Sequence, residues 1–247
     1  MRLTTTFAAL MMTATSVFAQ DVEMTDAERE NFRAEVRAYL LENPEVLMEA
    51  IAVLENRQEQ AEANRDEQLA QVNANALTDD GFSYVGGNPD GDITIVEFID
   101  YRCGFCRRAH PEVAELVESD GNIRIITKEF PILGEQSVMA SQFAVATKIV
   151  AGDEAYKQIS DALIALRSDV TPASLSSLAD AFDLDAEAIF AEMESEATQD
   201  VLANNRALGD RMQITGTPTF VFGDQMVRGY VDLAQMRLIV EAEREDG

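Results

Sequence analysis

The clearest feature of the hydrophobic pattern is the short apolar run Ile93–Ile99, in which Glu97 is the one acidic residue. A run of this length that is rich in β-branched residues is typical of a buried strand. A second run of this kind covers residues 122–130, and the sequence between the two runs is compatible with a helix. Strand, helix and strand at this spacing form a βαβ unit, so the two strands are predicted to be parallel.

Helical periodicity dominates residues 134–212, which separate this unit from the last two predicted strands. Those strands, residues 217–222 and 225–230, flank Gly223 and Asp224, a pair that is typical of a tight hairpin turn. A helix over residues 233–241 follows them, and a short strand over residues 82–85 precedes the βαβ unit. The predicted order is therefore β, β, α, β, a helical block, β, β, α, which indicates an α/β fold.

Residues 20–78 are predicted to form a helical arm ahead of a domain at residues 79–247, with a turn-rich boundary at residues 77–91. Its long helix, residues 44–72, has a seam at heptad spacing: Leu47, Ile51, Leu54, Gln58 and Ala61. This seam either packs on the chain's own domain or joins copies of the chain. Beyond Ala61 the helix is charged and polar, which slightly favours self-association.

The net charge of the chain and its N-terminal sequence limit its possible partners and location. The chain has 45 acidic and 19 basic residues, a net charge of −26, so nucleic acid and anionic membrane surfaces are unfavourable partners. Residues 1–19 resemble a secretory signal peptide, because Arg2 precedes a small apolar stretch that ends at Val17-Phe18-Ala19. The mature chain is predicted to begin at Gln20 in an oxidising compartment, where disulfides persist.

The candidate chemistry lies in Cys103-Gly104-Phe105-Cys106, which contains both cysteines of the chain. This motif is placed where a strand ends and a helix begins, and the helix dipole there favours a thiolate at Cys103. Two cysteines at this spacing are close enough to form a disulfide. A purely structural disulfide is the less attractive interpretation, because so small a loop constrains the unfolded chain little.

Three segments together carry a resemblance to a known family: residues 96–106 with the C-x-x-C motif, residues 128–134, and Thr215-Gly216-Thr217-Pro218-Thr219-Phe220. In this order they resemble the DsbA-like branch of the thioredoxin fold, with a helical insertion at about residues 134–212. The arm resembles that of the ScsC or Com1-like subgroup, in which such arms can drive oligomerisation. The resemblance therefore implies a thioredoxin fold with a helical insertion, preceded by a helical arm.

The resemblance also implies a function. A periplasmic thiol–disulfide oxidoreductase of this kind forms or shuffles disulfides in unfolded or misfolded secreted proteins, and a membrane redox partner reoxidises or reduces it. It needs no cofactor other than its own Cys103–Cys106 disulfide and no metal. A copper(I)-handling periplasmic protein that uses the same C-x-x-C is the alternative, because soft thiolates bind copper(I).

Roles at the site follow from the same resemblance. Cys103 is the expected nucleophile and Cys106 the resolving thiol, exchanging through a mixed disulfide. Gly104 and Phe105 are expected to face the client. Phe105 stands where relatives have a thiolate-stabilising His, so the pKa of Cys103 is expected above the low end of the superfamily's range, roughly 3.5 to 7.

Four further residues complete the expected site. Glu97 is expected to be a buried acid that exchanges a proton with Cys106, with Lys128 on the neighbouring strand as its partner. Both residues could instead lie on a solvated surface. Pro218 is expected to form a cis peptide bond facing the cysteines, so that the Thr217 backbone pairs with an extended peptide. His110, the single histidine, is expected on the surface or in helix packing.

Overall fold

The computed structural model describes residues 24–246, so the predicted signal peptide lies outside the described residues. The strands are β1 (Tyr84–Gly87), β2 (Ile93–Ile99), β3 (Ile123–Glu129), β4 (Thr219–Phe222) and β5 (Gln225–Arg228). The helices are α1 (Asp26–Glu42), α2 (Glu45–Val72), α3 (Ala74–Thr78), α4 (Gly104–Asp120), α5 (Glu135–Ala165), α6 (Pro172–Ala181), α7 (Ala186–Met193), α8 (Glu196–Arg211) and α9 (Leu233–Asp246). Within the described range, no helix combines the length and the apolar character that a bilayer crossing needs.

The strands form one five-stranded sheet in the order β1-β3-β2-β4-β5. Strands β2 and β3 are parallel, as predicted, and β1, β4 and β5 each pair antiparallel to their neighbours. Helices α5 to α8 form the predicted block between β3 and β4. The order of elements from the sequence is therefore confirmed, including the helical insertion.

The buried apolar side chains form three clusters, one on each face of the sheet and one against the insertion. On one face, Phe98 and Phe130 pack against Leu77 from α3. On the other face, Ile95 and Phe220 pack against α4 and α9. A third cluster joins both cysteines to the helices of the insertion. The end of β2 and the start of α4 are therefore held by the sheet and the insertion together.

Helix α5 contains the one clear departure within the insertion. The sequence predicts separate helices over residues 138–150 and 156–166, whereas in the structure a single helical element covers Glu135–Ala165. At Gly152 the backbone adopts φ 86° and ψ −176°, which is outside helical geometry and suits a residue without Cβ. The two predicted helices are thus present as two segments joined at a glycine kink.

Contacts within the chain divide it between Arg57 and Gln58, inside α2. In the first unit, helix α1 has no buried residue. In the second unit, the end of α2 packs on the domain, because Ala70 is buried and Asp66 receives hydrogen bonds of 2.9 and 2.8 Å from the Arg228 guanidinium. The division therefore falls inside α2, ahead of the predicted boundary at residue 78.

Candidate functional site

The C-x-x-C motif sits at a loop that a buried carboxylate organises. Asp100 follows β2 directly and is fully buried. One of its oxygens accepts the Arg102 N–H at 2.8 Å, and the other accepts the N–H groups of Ile132 at 2.8 Å and Leu133 at 3.0 Å. The loop before Cys103 and the loop after β3 are thereby fixed to each other, and Cys103 becomes the N-cap residue of α4.

The two thiols differ in position. Cys103 is 6% exposed and Cys106 1% exposed, so the predicted order of accessibility is present. Cys103 is nevertheless more enclosed than the sequence suggests, because the Thr217 carbonyl oxygen lies 3.1 Å from its sulfur and accepts a hydrogen bond from the thiol. The Thr217–Pro218 peptide bond is cis, as predicted. The C-x-x-C motif and the Thr-Pro segment, 114 residues apart in sequence, therefore meet at one sulfur atom.

The thiols also differ in their ionisation. A hydrogen bond from the Cys106 thiol is the largest influence on Cys103, and with help from backbone N–H groups it lowers the pKa of Cys103 to about 5 in spite of burial. The same hydrogen bond, together with burial, raises the pKa of Cys106 well above its ordinary value. Near neutral pH the first sulfur is therefore a thiolate and the second a thiol. A pKa of about 5 lies between the lowest and the highest superfamily values, roughly 3.5 and 7.

The Thr217 hydroxyl is available as a further donor to the Cys103 sulfur when that sulfur is ionised. Its oxygen is buried and has no hydrogen-bond partner among the described residues. The Thr217 side chain nevertheless contributes to the lowered pKa of Cys103. A hydroxyl that is unpaired beside the thiol is paired once the sulfur becomes a thiolate, so it favours the ionised form.

Phe105 and the arginines around the motif have distinct positions. The Phe105 side chain is 60% exposed, and its ring stacks on Tyr230 with the centroids 6.5 Å apart. The Arg108 guanidinium lies 4.2 Å from the Tyr230 ring centroid. Arg107 instead donates hydrogen bonds to the carbonyls of Ile164 and Leu166 near the end of α5. The motif therefore presents an apolar ring to solvent and is tied at its base to the insertion.

Glu97 is a buried acid, as predicted. It is 5% exposed, and burial raises the pKa of its carboxyl to about 7, with a smaller lowering effect from His110. Its charge in turn raises the pKa of Cys106, which places the two groups within electrostatic reach. Glu97 also lines a cavity of about 280 Å³ beside α4. A carboxyl with a pKa near neutrality, close to the buried thiol, suits proton exchange with that thiol.

The prediction that Lys128 partners Glu97 is wrong. The parallel register places Lys128 beside Phe98 and Glu97 beside Thr127, so the two charged side chains leave the sheet on opposite faces. The Lys128 ammonium is fully buried, donates to the Ala76 carbonyl at 2.9 Å and pairs with Asp80. It is thus neither a proton-relay partner nor a surface lysine, and it joins α3 and the following turn to the sheet.

Glu129 is another buried acid, and the sequence pattern did not single it out. Its carboxylate accepts hydrogen bonds from the hydroxyls of Tyr101 at 2.6 Å, Tyr156 at 2.7 Å and Ser141 at 2.7 Å. Burial, the largest influence, raises its pKa to about 7. Glu129 follows Lys128 in the predicted strand, but its hydrogen-bond partners lie in the loop after β2 and in α5. No local sequence pattern indicates that these partners come together. The network fixes Tyr101, two residues before Cys103.

Gly104 is the first residue of α4 and is exposed between the two cysteines. His110 lies on α4 with its side chain 30% exposed and bonded to Asp161. Within residues 24–246, no group of three or more His, Cys, Asp and Glu side chains is arranged to hold a metal ion. The structure thus brings together Cys103, Cys106, Thr217 and Pro218, with Glu97 behind them, and separates Lys128 from the group.

Comparison with known proteins agrees with this geometry. The family described as "Thioredoxin" matches residues 79–242, and the "Copper resistance protein ScsC N-terminal domain" matches residues 28–61. A thioredoxin-like oxidoreductase from Silicibacter pomeroyi is 36% identical, with a TM-score of 0.65 over 69% of this chain and 97% of that one. ScsC from Proteus mirabilis, in a transitional conformation, is 28% identical, with a TM-score of 0.66 over 91% of this chain and 98% of that one.

A longer curated relative also matches. The Na(+)/H(+) antiporter NhaA 3 of Salinispora tropica is 28% identical over 137 residues, which is 56% of this chain and 21% of the antiporter. This chain therefore spans about a fifth of the length of that relative. The family match over residues 79–242, the sheet order and the paired thiols agree with one another. The chain belongs to the thioredoxin family and, within it, to the DsbA-like thiol–disulfide oxidoreductases that include ScsC.

Proposed function

We propose that this protein works in the periplasm, where it forms or isomerises disulfides in secreted proteins through Cys103 and Cys106. The observation that supports the proposal most directly is the contrast between the thiols, with the pKa of Cys103 lowered to about 5 and that of Cys106 raised. An ionised sulfur that is the more exposed of the two, beside a protonated and more deeply buried one, suits exchange through a mixed disulfide, because only the thiolate attacks or leaves readily.

The exchange has two steps. In the oxidising direction, a client thiolate attacks the Cys103 sulfur of the Cys103–Cys106 disulfide, and Cys106 leaves and takes a proton from Glu97. A second client thiolate then attacks the mixed disulfide, the client disulfide forms, and Cys103 leaves as a thiolate with the electron pair. The reducing direction runs the same steps in reverse. The unpaired, buried Glu97 carboxyl supplies or takes the proton at Cys106.

Client recognition is proposed at the surface around Cys103. Phe105 is 60% exposed and Leu133 53% exposed, so apolar side chains of an unfolded client have partners there. The Thr217 carbonyl, 3.1 Å from the Cys103 sulfur, is a backbone group that an extended client strand can approach. Backbone pairing with little side-chain selection suits varied clients. A membrane protein is the proposed partner that restores the redox state, and nucleic acid is not a proposed partner.

Variants at the two cysteines test the proposal. We expect Cys103→Ser to abolish insulin reduction and the refolding of scrambled ribonuclease. We expect Cys106→Ser to accumulate a mixed disulfide between Cys103 and client, because the resolving thiol is missing. Normal turnover in Cys103→Ser would contradict the proposal. Localising the natural chain in osmotic-shock fractions tests the periplasmic assignment.

The arm is proposed to join copies of the chain. In the first unit, Phe32, Tyr39 and Leu47 are 60%, 54% and 49% exposed, and Ile51 and Leu54 on the heptad seam are 47% and 56% exposed. Exposed apolar side chains at heptad spacing are the surface that a coiled-coil contact covers. An oligomer would hold several active sites together, which favours isomerase activity, whereas a monomer favours oxidase activity.

Sedimentation of the mature chain, with substitutions on the arm, tests this assembly. We expect an oligomer for the unchanged chain and a monomer for Ile51→Glu with Leu54→Glu. Val53→Glu is the matched control, because Val53 is 52% exposed but off the seam. A monomeric unchanged chain, or equal dissociation by the control, would contradict assembly through this seam.

Copper(I) handling by the same dithiol is the second candidate, because the family that matches residues 28–61 is described as a copper resistance protein. Two thiolates suit copper(I) as a cargo. This candidate predicts stoichiometric copper(I) binding that is lost in the Cys103→Ser, Cys106→Ser double variant, together with poor turnover of client disulfides. Efficient ribonuclease refolding without copper(I) binding would exclude it.

A further inference from the structure

The cavity beside Glu97 connects the buried side of the active site with the protein surface. It has a volume of about 280 Å³ and lies between α4, strands β1 to β3 and the part of α5 that follows the Gly152 kink. Much of its wall is apolar, including Val113, Val117 and Ile125. Among the residues that line it, Glu97 contributes a side chain from deep in the sheet, and His110, Lys157 and Asp161 contribute charged or titratable groups.

Glu97 has no fixed partner for its proton. It is 5% exposed, and no described residue provides a hydrogen bond to its carboxyl. A buried acid usually has such partners, as Glu129 has with its three hydroxyls. Because the Glu97 carboxyl lines the cavity, the cavity is the route by which it can exchange a proton with solvent.

The polar rim of the cavity is an ordered ion cluster. The His110 Nε2 atom is 2.9 Å from an Asp161 carboxylate oxygen, and the Lys157 ammonium donates to the same oxygen at 2.6 Å. The side chains of His110, Asp161 and Lys157 are 30%, 43% and 46% exposed. Burial opposes ionisation of Asp161, but hydrogen bonds from His110 and Lys157 lower its pKa overall. Asp161 therefore stays a carboxylate that holds the imidazole at the rim.

We propose that His110, positioned by Asp161, carries protons between Glu97 and bulk solvent through this cavity. The inference rests on the proposed function and adds the path by which the Cys106 proton leaves the active site. The proton of Cys106 passes to the Glu97 carboxylate and on through the cavity to His110, which passes it to water. The Cys106 thiolate left by this transfer attacks the mixed disulfide, the Cys103–Cys106 bond forms, and the client sulfur leaves with the electron pair.

Histidine suits this position because its ring accepts a proton on one nitrogen while the other stays bonded to a carboxylate. The helical insertion supplies Asp161 and Lys157, so the path uses an element outside the sheet. Several titratable groups face Glu97 or its cavity, and a pH profile reports all of them. They are Tyr84 on β1, Glu129 on β3, Cys106, His110 and Glu118 on α4, and Tyr156, Lys157 and Asp161 on α5.

Reaction of the reduced protein with the aromatic disulfide dithiobis(nitrobenzoate) separates the two chemical steps in one trace. The first nitrothiolate is released when Cys103 attacks, and the second when Cys106 resolves the mixed disulfide. We expect His110→Ala to leave the first phase unchanged and to slow the second by about tenfold, a fraction of the effect of a full acid–base residue. Asp161→Asn is expected to slow the second phase in the same direction.

Chemical rescue distinguishes proton transfer from a structural effect. Free imidazole is expected to restore the second phase of His110→Ala in proportion to its concentration, whereas pyrazole, which has the same size and far less basicity, is not. Glu97→Gln is expected to slow the second phase by about 100-fold without rescue. Asp210→Asn is the control, because it removes an exposed carboxylate paired with Arg206 on α8, outside the cavity.

The outcomes are separable. A second phase in His110→Ala that equals the wild-type phase across pH, or that slows without rescue by imidazole, would overturn the proton path. Thermal unfolding of each variant identifies a loss of folding as the cause of any slow phase. Failure of the proposed function would show elsewhere, as a missing first phase in the wild-type protein or as client turnover that survives Cys103→Ser.

Discussion

The Thr217 hydroxyl offers a sharp test of how the Cys103 thiolate is stabilised. The perturbation is Thr217→Val, which replaces the hydroxyl with a methyl group of similar size. Because the hydroxyl oxygen is buried and has no other partner among the described residues, the change removes no second hydrogen bond. Its effect therefore reports the interaction between the hydroxyl and the sulfur.

The expected magnitude follows from the charge of the acceptor. A hydrogen bond to a charged group contributes about 1.5 to 3 kcal/mol, and about 1.4 kcal/mol corresponds to one pKa unit. At the lower end of that range, the pKa of Cys103 rises from about 5 to roughly 6. Because both pKa values are below 7, Cys103 is a thiolate at neutral pH with or without the hydroxyl. The reduced form of the variant therefore loses the full stabilisation that the hydrogen bond gives the thiolate. The reduction potential then falls by about 30 mV, towards a more reducing protein.

Two assays follow this change. The ultraviolet absorbance of the thiolate, recorded against pH, gives the pKa of Cys103, and equilibration with glutathione gives the potential. Thr219→Val is the matched control, because the Thr219 hydroxyl is also buried but donates to the Gly216 carbonyl at 2.9 Å. We expect the control to lose about 1 kcal/mol of stability with no change in either redox property. An unchanged pKa in Thr217→Val would refute the role of the hydroxyl.

Further predictions concern the buried charges. The folded pKa of Glu97, about 7, is above its ordinary 4.5, so the unfolded chain releases this proton first and the wild-type protein loses stability as pH rises between these values. In Glu97→Gln, the free energy of unfolding should therefore fall by roughly 3 kcal/mol less than in the wild-type protein between pH 5 and 8. Urea unfolding that depends on pH in the same way in both proteins would contradict this prediction. Asp80→Asn should cost about 3 kcal/mol because it leaves the Lys128 ammonium buried. Adding Lys128→Met should recover most of that loss in chemical denaturation without changing the pKa of Cys103, and a double variant no more stable than Asp80→Asn would contradict the pairing.

The sequence predicts those features that depend on local pattern. Apolar runs with β-branched residues indicated β2 and β3, because β-branched side chains favour strands and because β2, which is buried on both faces, has few polar residues. The C-x-x-C motif after a strand indicated the N-terminus of α4, where Cys103 is the cap residue. The distant Thr-Pro segment was placed at the cysteines by family resemblance, since no local pattern brings residues this far apart together.

Features that depend on register or on distant partners could not be predicted in this way. Lys128 was assigned to the wrong face, because a difference of one residue in a strand reverses the direction of a side chain. Two of the three partners of Glu129 and the Asp161 partner of His110 come from α5, whose packing on the sheet has no sequence signature. The contacts of the chain divide it inside α2, ahead of the predicted boundary after residue 78, because Ala70, a small residue in a polar stretch, is buried against the domain.

The most direct test of the central claim is differential alkylation of the reduced protein across pH, with each modified cysteine identified by peptide mass spectrometry. The claim is that Cys103 is ionised near neutral pH while Cys106 holds its proton. We predict that modification of Cys103 rises with a midpoint near pH 5 and that Cys106 stays largely unmodified up to alkaline pH. Equal rates and a shared midpoint for both thiols would contradict the account.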